Sequence, residues 1–346
     1  MSSSLFTSDS YQEMDAFNDG LSLFSASLVL IIGVFGVITN SSILFIFYKE
    51  KSEKTAFNLI CFFRAASNVV ILSATFLSVF FPKIMIGYSI YSASLESFLI
   101  HLSLTLYLGN EYQIIMVALN RFCALFLPMY YSILCGFIPT LVILSVIYSF
   151  RLGKVLFEHD NHVSTNCYTS FSVEFLSWIY DPNPECEVDD NILEVIFYTF
   201  ITMSIINVVT FLKIISFYWK RNDGNPMDKE ARKRMKRNII LFFQTIFQDS
   251  LYLIDLIFTF KLRLLDFTHI LHLIATSSSG LSTHRFWTFL SGTLVWEFVH
   301  SVDGFIMMMF NERLSFLKKR FHPTPSITNI PSGRQNAVNT TLSIVG

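Results

Sequence analysis

Seven long apolar stretches divide the chain, and this pattern constrains the fold more than any other feature of the sequence. Each stretch can cross a hydrocarbon core of about 30 Å as an α-helix, which rises about 1.5 Å per residue. The sequence therefore predicts an all-α integral membrane protein, a bundle of seven transmembrane helices. The stretches are Leu21–Tyr48, Leu59–Phe81, Leu95–Phe126, Ile133–Leu156, Ile192–Trp219, Ile239–Phe260 and Phe286–Phe310.

The composition and the C-terminal pattern indicate one membrane domain with short flanking segments. Of the 346 residues, 52% are hydrophobic and 16% are aromatic, which leaves no room for a separate soluble domain. After the seventh stretch, apolar residues recur at helical spacing with basic residues between them, so we expect a short amphipathic cytoplasmic helix on membrane lipid. We predict an extracellular N-terminus at residues 1–20, a seven-transmembrane domain at 21–310, and the amphipathic helix with a disordered tail at 311–346.

The basic residues are concentrated in alternate connections between the stretches. Residues 1–24 and the connection from Phe157 to Asn191 contain no lysine or arginine, and that connection contains eight acidic residues. The connection between the fifth and sixth stretches has a dense basic run that consists of Arg232, Lys233, Arg234, Lys236 and Arg237. Because cytoplasmic loops are enriched in lysine and arginine, we expect the N-terminus outside the cell and the C-terminus in the cytoplasm.

The five cysteines separate into two groups in this orientation. Cys167 and Cys186 lie outside, in the acidic connection, whereas Cys61 lies within the second stretch and Cys123 and Cys135 lie near the cytoplasmic face. The exterior is oxidising, so a disulfide between the first two is the natural pairing, with two free thiols as the alternative. On the entropic model such a bond would restrain the loop by roughly 3 kcal/mol.

Polar side chains interrupt the apolar stretches, although an ionisable group inside a membrane is costly. The seventh stretch is the clearest case, because it contains Glu297, His300 and Asp303. Such residues either join helices by simple hydrogen bonds or form a water-bearing polar network that repacks between two states. As candidates for a switch network we select Asn40, Asn68, Glu111, His300, Asp303 and Gly304.

The sequence offers little for catalysis or for metal binding. His300 is the only histidine in the inner half of the predicted bundle, and His269 and His272 lie in an outer loop without an obvious third ligand. Neither a nucleophile motif nor a phosphate-binding glycine loop is present. We therefore predict no enzyme activity, no metal site, no cofactor and no nucleic-acid partner.

One short motif lies where the third stretch meets the cytoplasm. Asn120-Arg121-Phe122 resembles the Asp-Arg-Tyr element of rhodopsin-like G-protein-coupled receptors, with asparagine in place of the acid. The resemblance implies that these three residues, together with the basic run at 232–237, contribute to G-protein coupling. It also implies a weaker restraint on Arg121, because the neighbouring carboxylate is missing.

The wider pattern resembles the nematode serpentine receptor class X family, over about Gly33 to Asn311. Its most specific element is His300-Ser301-Val302-Asp303-Gly304 followed by Phe310-Asn311. The resemblance implies a seven-helix chemoreceptor of the plasma membrane, in sensory-neuron cilia, that binds an external chemical ligand and activates a heterotrimeric G-protein. The chain also departs from the usual receptor pattern elsewhere: helices five to seven lack proline, and Glu96 lies near where a cysteine usually starts the outer disulfide.

The ligand-binding residues and the function class leave alternatives open. Ser97, His101, Thr105 and Tyr112 form a polar stripe on the outer half of the third helix, either as ligand contacts or as interior packing. A neuropeptide receptor is an alternative to a receptor for small molecules. An ion channel or transporter would need a pore-lining polar path or paired inverted repeats, and the sequence shows neither.

Overall fold

A computed structural model of the chain describes residues 20–50, 54–181, 183, 186, 192–222, 229–264 and 285–310. Within two of the helices, the side chains at 192–193, 217–222, 229–238, 241 and 259–264 are not described. The described part contains seven long helices: α1 Gly20–Lys49, α2 Ala56–Ile86, α3 Ala93–Phe126, α4 Phe137–Thr165, α5 Ile192–Asn222, α6 Lys229–Leu264 and α7 Arg285–Phe310.

These helices follow the seven predicted stretches, which confirms the seven-helix membrane bundle. Five of the described helices, α1, α2, α4, α5 and α7, contain segments long and apolar enough to cross a membrane. Charged residues interrupt the two others, such as Glu111 and Arg121 in α3 and Asp249 and Asp255 in α6. All four of these side chains are buried among the helices, where polar residues of membrane spans usually lie.

Helix α3 lies at the centre of the packing. It contacts α2, α4, α5 and α6, while α1 packs against α2 and α7, and α6 also packs against α7. Polar residues of α3 can therefore reach side chains from most of the bundle.

Two helices contain a π-helical segment, in which each N–H bonds five residues back. In α2 the segment is Leu72–Phe80, and Pro82 follows it; proline has no N–H and displaces the carbonyl four residues before it. In α7 the segment is Phe289–Leu294, and the α-helix is regular from Val295 to Phe310. Gly304 therefore lies in the regular part of α7.

Within the described residues, a short β-hairpin is the element that the all-α prediction did not include. Strands β1 (Ser170–Ser172) and β2 (Ser177–Ile179) pair antiparallel after α4. In the turn between them, Leu176 adopts a left-handed conformation with φ 51° and is 0% exposed. Thr293 of α7 donates a hydrogen bond to the Leu176 carbonyl at 2.7 Å, so the hairpin tip is inserted into the end of the bundle.

A disulfide between Cys167 and Cys186 flanks the hairpin, with the Cα atoms 5.6 Å apart. This is the pairing that the sequence favoured. We call this end of the bundle the disulfide end, and the opposite end, where Arg121 lies, the arginine end. The predicted N-terminal segment before residue 20 and the predicted amphipathic helix and tail at 311–346 lie outside the described residues.

Candidate functional site

Asp303 of α7 is the centre of the buried polar residues. Its carboxylate accepts hydrogen bonds from Arg64 Nε at 2.8 Å and from Asn68 Nδ2 at 2.9 Å, both on α2. Gln248 Nε2 of α6 donates to the second carboxylate oxygen at 2.7 Å. One fully buried side chain thus joins α2, α6 and α7.

Arg64 is one residue of this buried arrangement that the sequence analysis missed. It is 2% exposed, forms a buried ion pair with Asp303, and lies over the ring of Tyr252 at 4.7 Å from its centroid. A signal was available, because Arg64 is the one charged side chain in the stretch Leu59–Phe81. A lone cation in an apolar span needs a buried acid, and the seventh stretch supplies one.

Asn68 extends this arrangement to three more helices. Its amide nitrogen also donates to Asn40 Oδ1 of α1 at 3.2 Å, and its amide oxygen accepts from Asn110 Nδ2 of α3 at 2.9 Å. His300 Nδ1 lies 2.8 Å from the same oxygen and therefore carries its proton on that nitrogen. The hydroxyl of Tyr148 on α4 donates to Asn110 Oδ1 at 2.9 Å.

The contacts define a connected cluster that reaches six of the seven described helices. We call it the central polar network, and it consists of Asn40, Arg64, Asn68, Asn110, Tyr148, Gln248, His300 and Asp303. Four of the six residues selected from the sequence belong to it. Glu111 is buried nearby on α3 with one carboxylate oxygen lacking a hydrogen-bond partner within the described residues.

Gly304, also selected from the sequence, permits the close approach of α1 and α7. A Cβ atom on Gly304 would lie 2.5 Å from Asn40 Cγ and Nδ2. Asn40 is held there, because its Nδ2 donates to Gly36 O at 2.8 Å and to His300 O at 3.1 Å. Gly304 therefore makes room for one member of the network.

Replacing Gly304 by alanine should lower the free energy of unfolding by about 1–3 kcal/mol, the usual cost of overpacking a close-packed interior. The new methyl group would displace Asn40 and break its hydrogen bonds to α7 and Asn68. Thermal unfolding of the purified protein in detergent measures the effect. The matched control is Gly153→Ala in α4, where a Cβ meets no atom within 4 Å; equal midpoints for both variants would contradict the packing role of Gly304.

A cavity of about 530 Å³ opens beside Arg121 at the arginine end. Residues of α2, α3, α4, α5 and α6 line it, among them Phe57, Asn120, Arg121, Phe137, Thr210, Ile214 and Phe242. Arg121 is 7% exposed and its guanidinium lies 5.1 Å from the ring centroid of Phe57. Within the described residues, none of its three guanidinium nitrogens has a hydrogen-bond partner.

The other residues assigned to coupling lie in different places. Asn120 lines the cavity, and its Nδ2 donates to the carbonyl of Cys135 at 3.4 Å. Phe122 instead stacks on Phe126 with ring centroids 4.4 Å apart. The backbone of the basic run Arg232, Lys233, Arg234, Lys236 and Arg237 belongs to α6, but their side chains lie outside the described residues.

At the disulfide end, the polar stripe of α3 contacts the segment that follows α4. Ser97 Oγ accepts from the Thr169 N–H at 3.1 Å, and His101 Nε2 lies 3.4 Å from Thr169 Oγ1. Thr105 is buried and Tyr112 is half-buried. The first two side chains therefore have contacts to the protein itself, which agrees with the packing alternative, and ligand contact through the stripe stays a prediction.

Glu96 anchors the hairpin to α3 near the position where rhodopsin-like receptors usually have a cysteine. Its Oε1 accepts from the Phe171 N–H of β1 at 2.7 Å and from Lys83 Nζ of α2 at 2.9 Å. Glu96 is buried, so this charged anchor is shielded from water. Glu96 thus ties the hairpin to α3 by hydrogen bonds, in the place of a covalent disulfide.

A row of rings connects the hairpin with the central polar network. Trp178 of β2 contacts Trp296 of α7 at 4.7 Å between ring centroids, and Trp296 contacts the His300 ring at 6.0 Å. Because His300 bonds to Asn68, these ring contacts join the hairpin to the network. Among the described residues, no group of three or more metal-ligating side chains is present.

Comparison with known proteins identifies relatives that cover the whole bundle. Residues 30–311 match the sequence model of a family described as serpentine type 7TM GPCR chemoreceptor Srx. The chain is also 26% identical over 325 residues to serpentine receptor class X 45 of Caenorhabditis elegans, an alignment that covers 90% of this chain and 85% of the relative. Every residue of the central polar network, from Asn40 to Asp303, falls within the matched range.

Proposed function

The chain belongs to the serpentine receptor class X family of seven-transmembrane chemoreceptors, and from this premise we propose that it is a chemosensory G-protein-coupled receptor. In this proposal it binds an external small molecule at the disulfide end and activates a heterotrimeric G-protein at the arginine end. It is a multi-pass membrane protein, and we place it in the plasma membrane of sensory cilia.

Charge supports the proposed orientation. The basic run on α6 belongs to the arginine end, whereas the segment from Phe157 to Asn191, at the end of α4 and after it, carries eight acidic residues and no lysine or arginine. Lysine and arginine accumulate on the cytoplasmic side of membrane proteins. The arginine end then faces the cytoplasm, and the Cys167–Cys186 disulfide lies in the oxidising exterior.

The observation that carries the proposal is the state of Arg121. A buried guanidinium without hydrogen bonds is costly; that of Arg121 has none within the described residues, and it borders the cavity lined by α2, α3, α4, α5 and α6. Such a guanidinium can donate hydrogen bonds to a partner that enters the cavity. We propose that Asn120 and Arg121 contact the G-protein there, that the basic run extends the same surface, and that Phe122 supports it by packing on Phe126.

Signal transfer is proposed to run through the central polar network. Ligand binding at the disulfide end would move the hairpin, and the tryptophan contact would pass the movement to His300 and Asp303. A ligand shifts such an equilibrium only by its difference in affinity between the two packings. Asn40, Asn68, Glu111, His300, Asp303 and Gly304 are the proposed switch residues, and Ser97, His101, Thr105 and Tyr112 are the proposed ligand contacts.

The orientation is tested with two epitope tags in intact cells. We expect antibody to bind a tag ahead of Met1 without permeabilisation and a tag after Gly346 only after permeabilisation. A library of volatile and soluble small molecules, with a peptide library in parallel, is then screened for G-protein activation. Small-molecule responses that G-protein inhibitors abolish support the proposal. A response to peptides alone would favour a neuropeptide receptor, and ligand-evoked current that resists the inhibitors would favour a channel.

A further inference from the structure

Two histidine rings stack on each other between α3 and α4 at the disulfide end, away from the central polar network. His101 of α3 and His162 in the last turn of α4 have ring centroids 4.7 Å apart, with an angle of 29° between the ring planes. Both side chains are half-buried. Neither ring is therefore sealed inside the bundle, and protons can reach the pair.

A hydrogen bond determines which nitrogen of His101 can take up a proton. Its Nδ1 lies 2.8 Å from the carbonyl oxygen of Ser97, which only accepts, so the neutral ring carries its proton on Nδ1. Nε2 lies 3.4 Å from the hydroxyl oxygen of Thr169, a contact longer than an ordinary hydrogen bond. A second proton goes to Nε2 and gives the ring a full positive charge.

Both rings are connected to the start of the β-hairpin. Thr169, which contacts His101, directly precedes Ser170, the first residue of β1. The carbonyl of His162 accepts from the N–H of Cys167 at 3.0 Å, and Cys167 belongs to the disulfide. A change in the distance between the two rings therefore acts on the segment that leads into the hairpin.

The other charged side chains at this end are paired with each other or lie in loops and helix ends. Two ion pairs are present, Lys83–Glu96 at 2.9 Å and Lys154–Glu158 at 3.1 Å. His159 packs its ring on Phe98 with centroids 5.0 Å apart. The remaining described acids here are Asp160, Glu174, Asp181 and Glu194. Histidine is the side chain that ordinarily changes charge between pH 5 and 8, so in mild acid the histidines are the groups that titrate.

We propose that His101 and His162 form a proton-binding site, and that external acid activates the receptor through it. When both rings are charged, two like charges face each other across the stack and repel, more strongly than in water because the pair is half-buried. The rings separate, the end of α4 moves away from α3, and the hairpin is displaced. Rings this close titrate as a pair, so the midpoint of the response belongs to both. This inference rests on the proposed function for the orientation and for the G-protein partner.

Thermal unfolding in detergent tests the proton-binding site without a G-protein. The unfolded chain can charge both rings without repulsion, so it binds more protons than the folded chain, and stability falls as the pH falls through about 6.5. Between about pH 7.5 and about pH 5.5, we expect the unfolding midpoint of the natural chain to drop further than that of His162→Phe, which keeps a flat ring but takes up no proton.

The matched control for this measurement is His159→Phe, three residues earlier on α4. It also removes a histidine from this end of the bundle, but one that packs on Phe98 rather than on a second imidazole. Its midpoint should drop as far as that of the natural chain. Equal drops for the natural chain and His162→Phe would overturn the proton-binding site.

A second measurement tests activation by acid. G-protein activation is recorded in cells with equal amounts of each receptor at the surface, while the medium is stepped from about pH 7.5 to about pH 5.5 at a fixed cytosolic pH. We expect a rise of at least about threefold for the natural chain and His159→Phe, because protonation favours one of the two packings. His162→Phe should not respond. A fall or no change for the natural chain would refute activation by acid.

The two measurements separate this inference from the proposed function. If small molecules activate the G-protein in the ligand screen but acid does not, the proposed function stands and the inference fails. If the unfolding midpoints differ as expected while no stimulus, acid included, activates a G-protein, the proton-binding site stands and the receptor function fails.

Discussion

Replacing Arg64 by methionine should lower the free energy of unfolding by about 3–5 kcal/mol, the cost of leaving a buried charge without its partner. Arg64 Nε lies 2.8 Å from Asp303 Oδ2, and the two side chains are 3% and 0% exposed. Without the guanidinium, the carboxylate keeps only the amide donors of Asn68 and Gln248. The expected result is a lower thermal midpoint in detergent and less receptor at the cell surface.

Two variants control this result. Arg64→Met combined with Asp303→Leu removes both charges and should regain most of the lost stability, because apolar replacements of buried ion pairs are often neutral. Lys154→Met breaks the ion pair with Glu158, whose side chains are 35% and 31% exposed, and should cost less than about 1 kcal/mol. If Arg64→Met were no less stable than Lys154→Met, the buried ion pair would not be what holds α2 to α7.

Replacing Arg121 by methionine should instead leave the free energy of unfolding unchanged or raise it, and should reduce G-protein activation roughly 10- to 100-fold. The Arg121 guanidinium has no hydrogen-bond partner within the described residues, so its removal breaks no internal bond of that kind. A hydrogen bond that it makes to a partner contributes about 1.5–3 kcal/mol because one group is charged, and about 1.4 kcal/mol corresponds to a factor of ten. The loss therefore falls on the complex rather than on the free receptor.

Basal nucleotide exchange on a heterotrimer, normalised to receptor at the cell surface, measures this effect. Arg121→Lys keeps the charge but not the planar donor group, so an intermediate rate is expected. Exchange by Arg121→Met at the rate of the natural chain would show that the partner does not use the guanidinium. The two arginines thus separate the two roles: Arg64 is expected to determine whether the bundle folds, and Arg121 whether it signals.

The helices could be predicted well because each is a local feature. The stretch Leu95–Phe126 corresponds to α3 at Ala93–Phe126, and Leu21–Tyr48 corresponds to α1 at Gly20–Lys49. A membrane span must satisfy its own backbone hydrogen bonds, so its apolar length can be found without knowledge of its neighbours. The cysteine pairing was accessible for a similar reason, since both residues lie in one connection.

The hairpin and the contacts at the arginine end could not be predicted in this way. Strands of three residues carry too little periodicity to be recognised among the loop residues. Leu176 is buried because the bundle end accepts it beside Thr293, and nothing in its local sequence indicates this. The contact of Asn120 with Cys135 depends on how the chain between α3 and α4 turns back.

The sequence by itself determined that the chain forms seven helices in a membrane, because hydrophobicity and charge act segment by segment. It also determined which polar residues had to be explained, among them His300 and Asp303. Only the tertiary structure decided that Asp303 pairs with Arg64, 239 positions away. The rotation of each helix and the close approach at Gly304 select these partners, and both depend on the packing of the whole bundle.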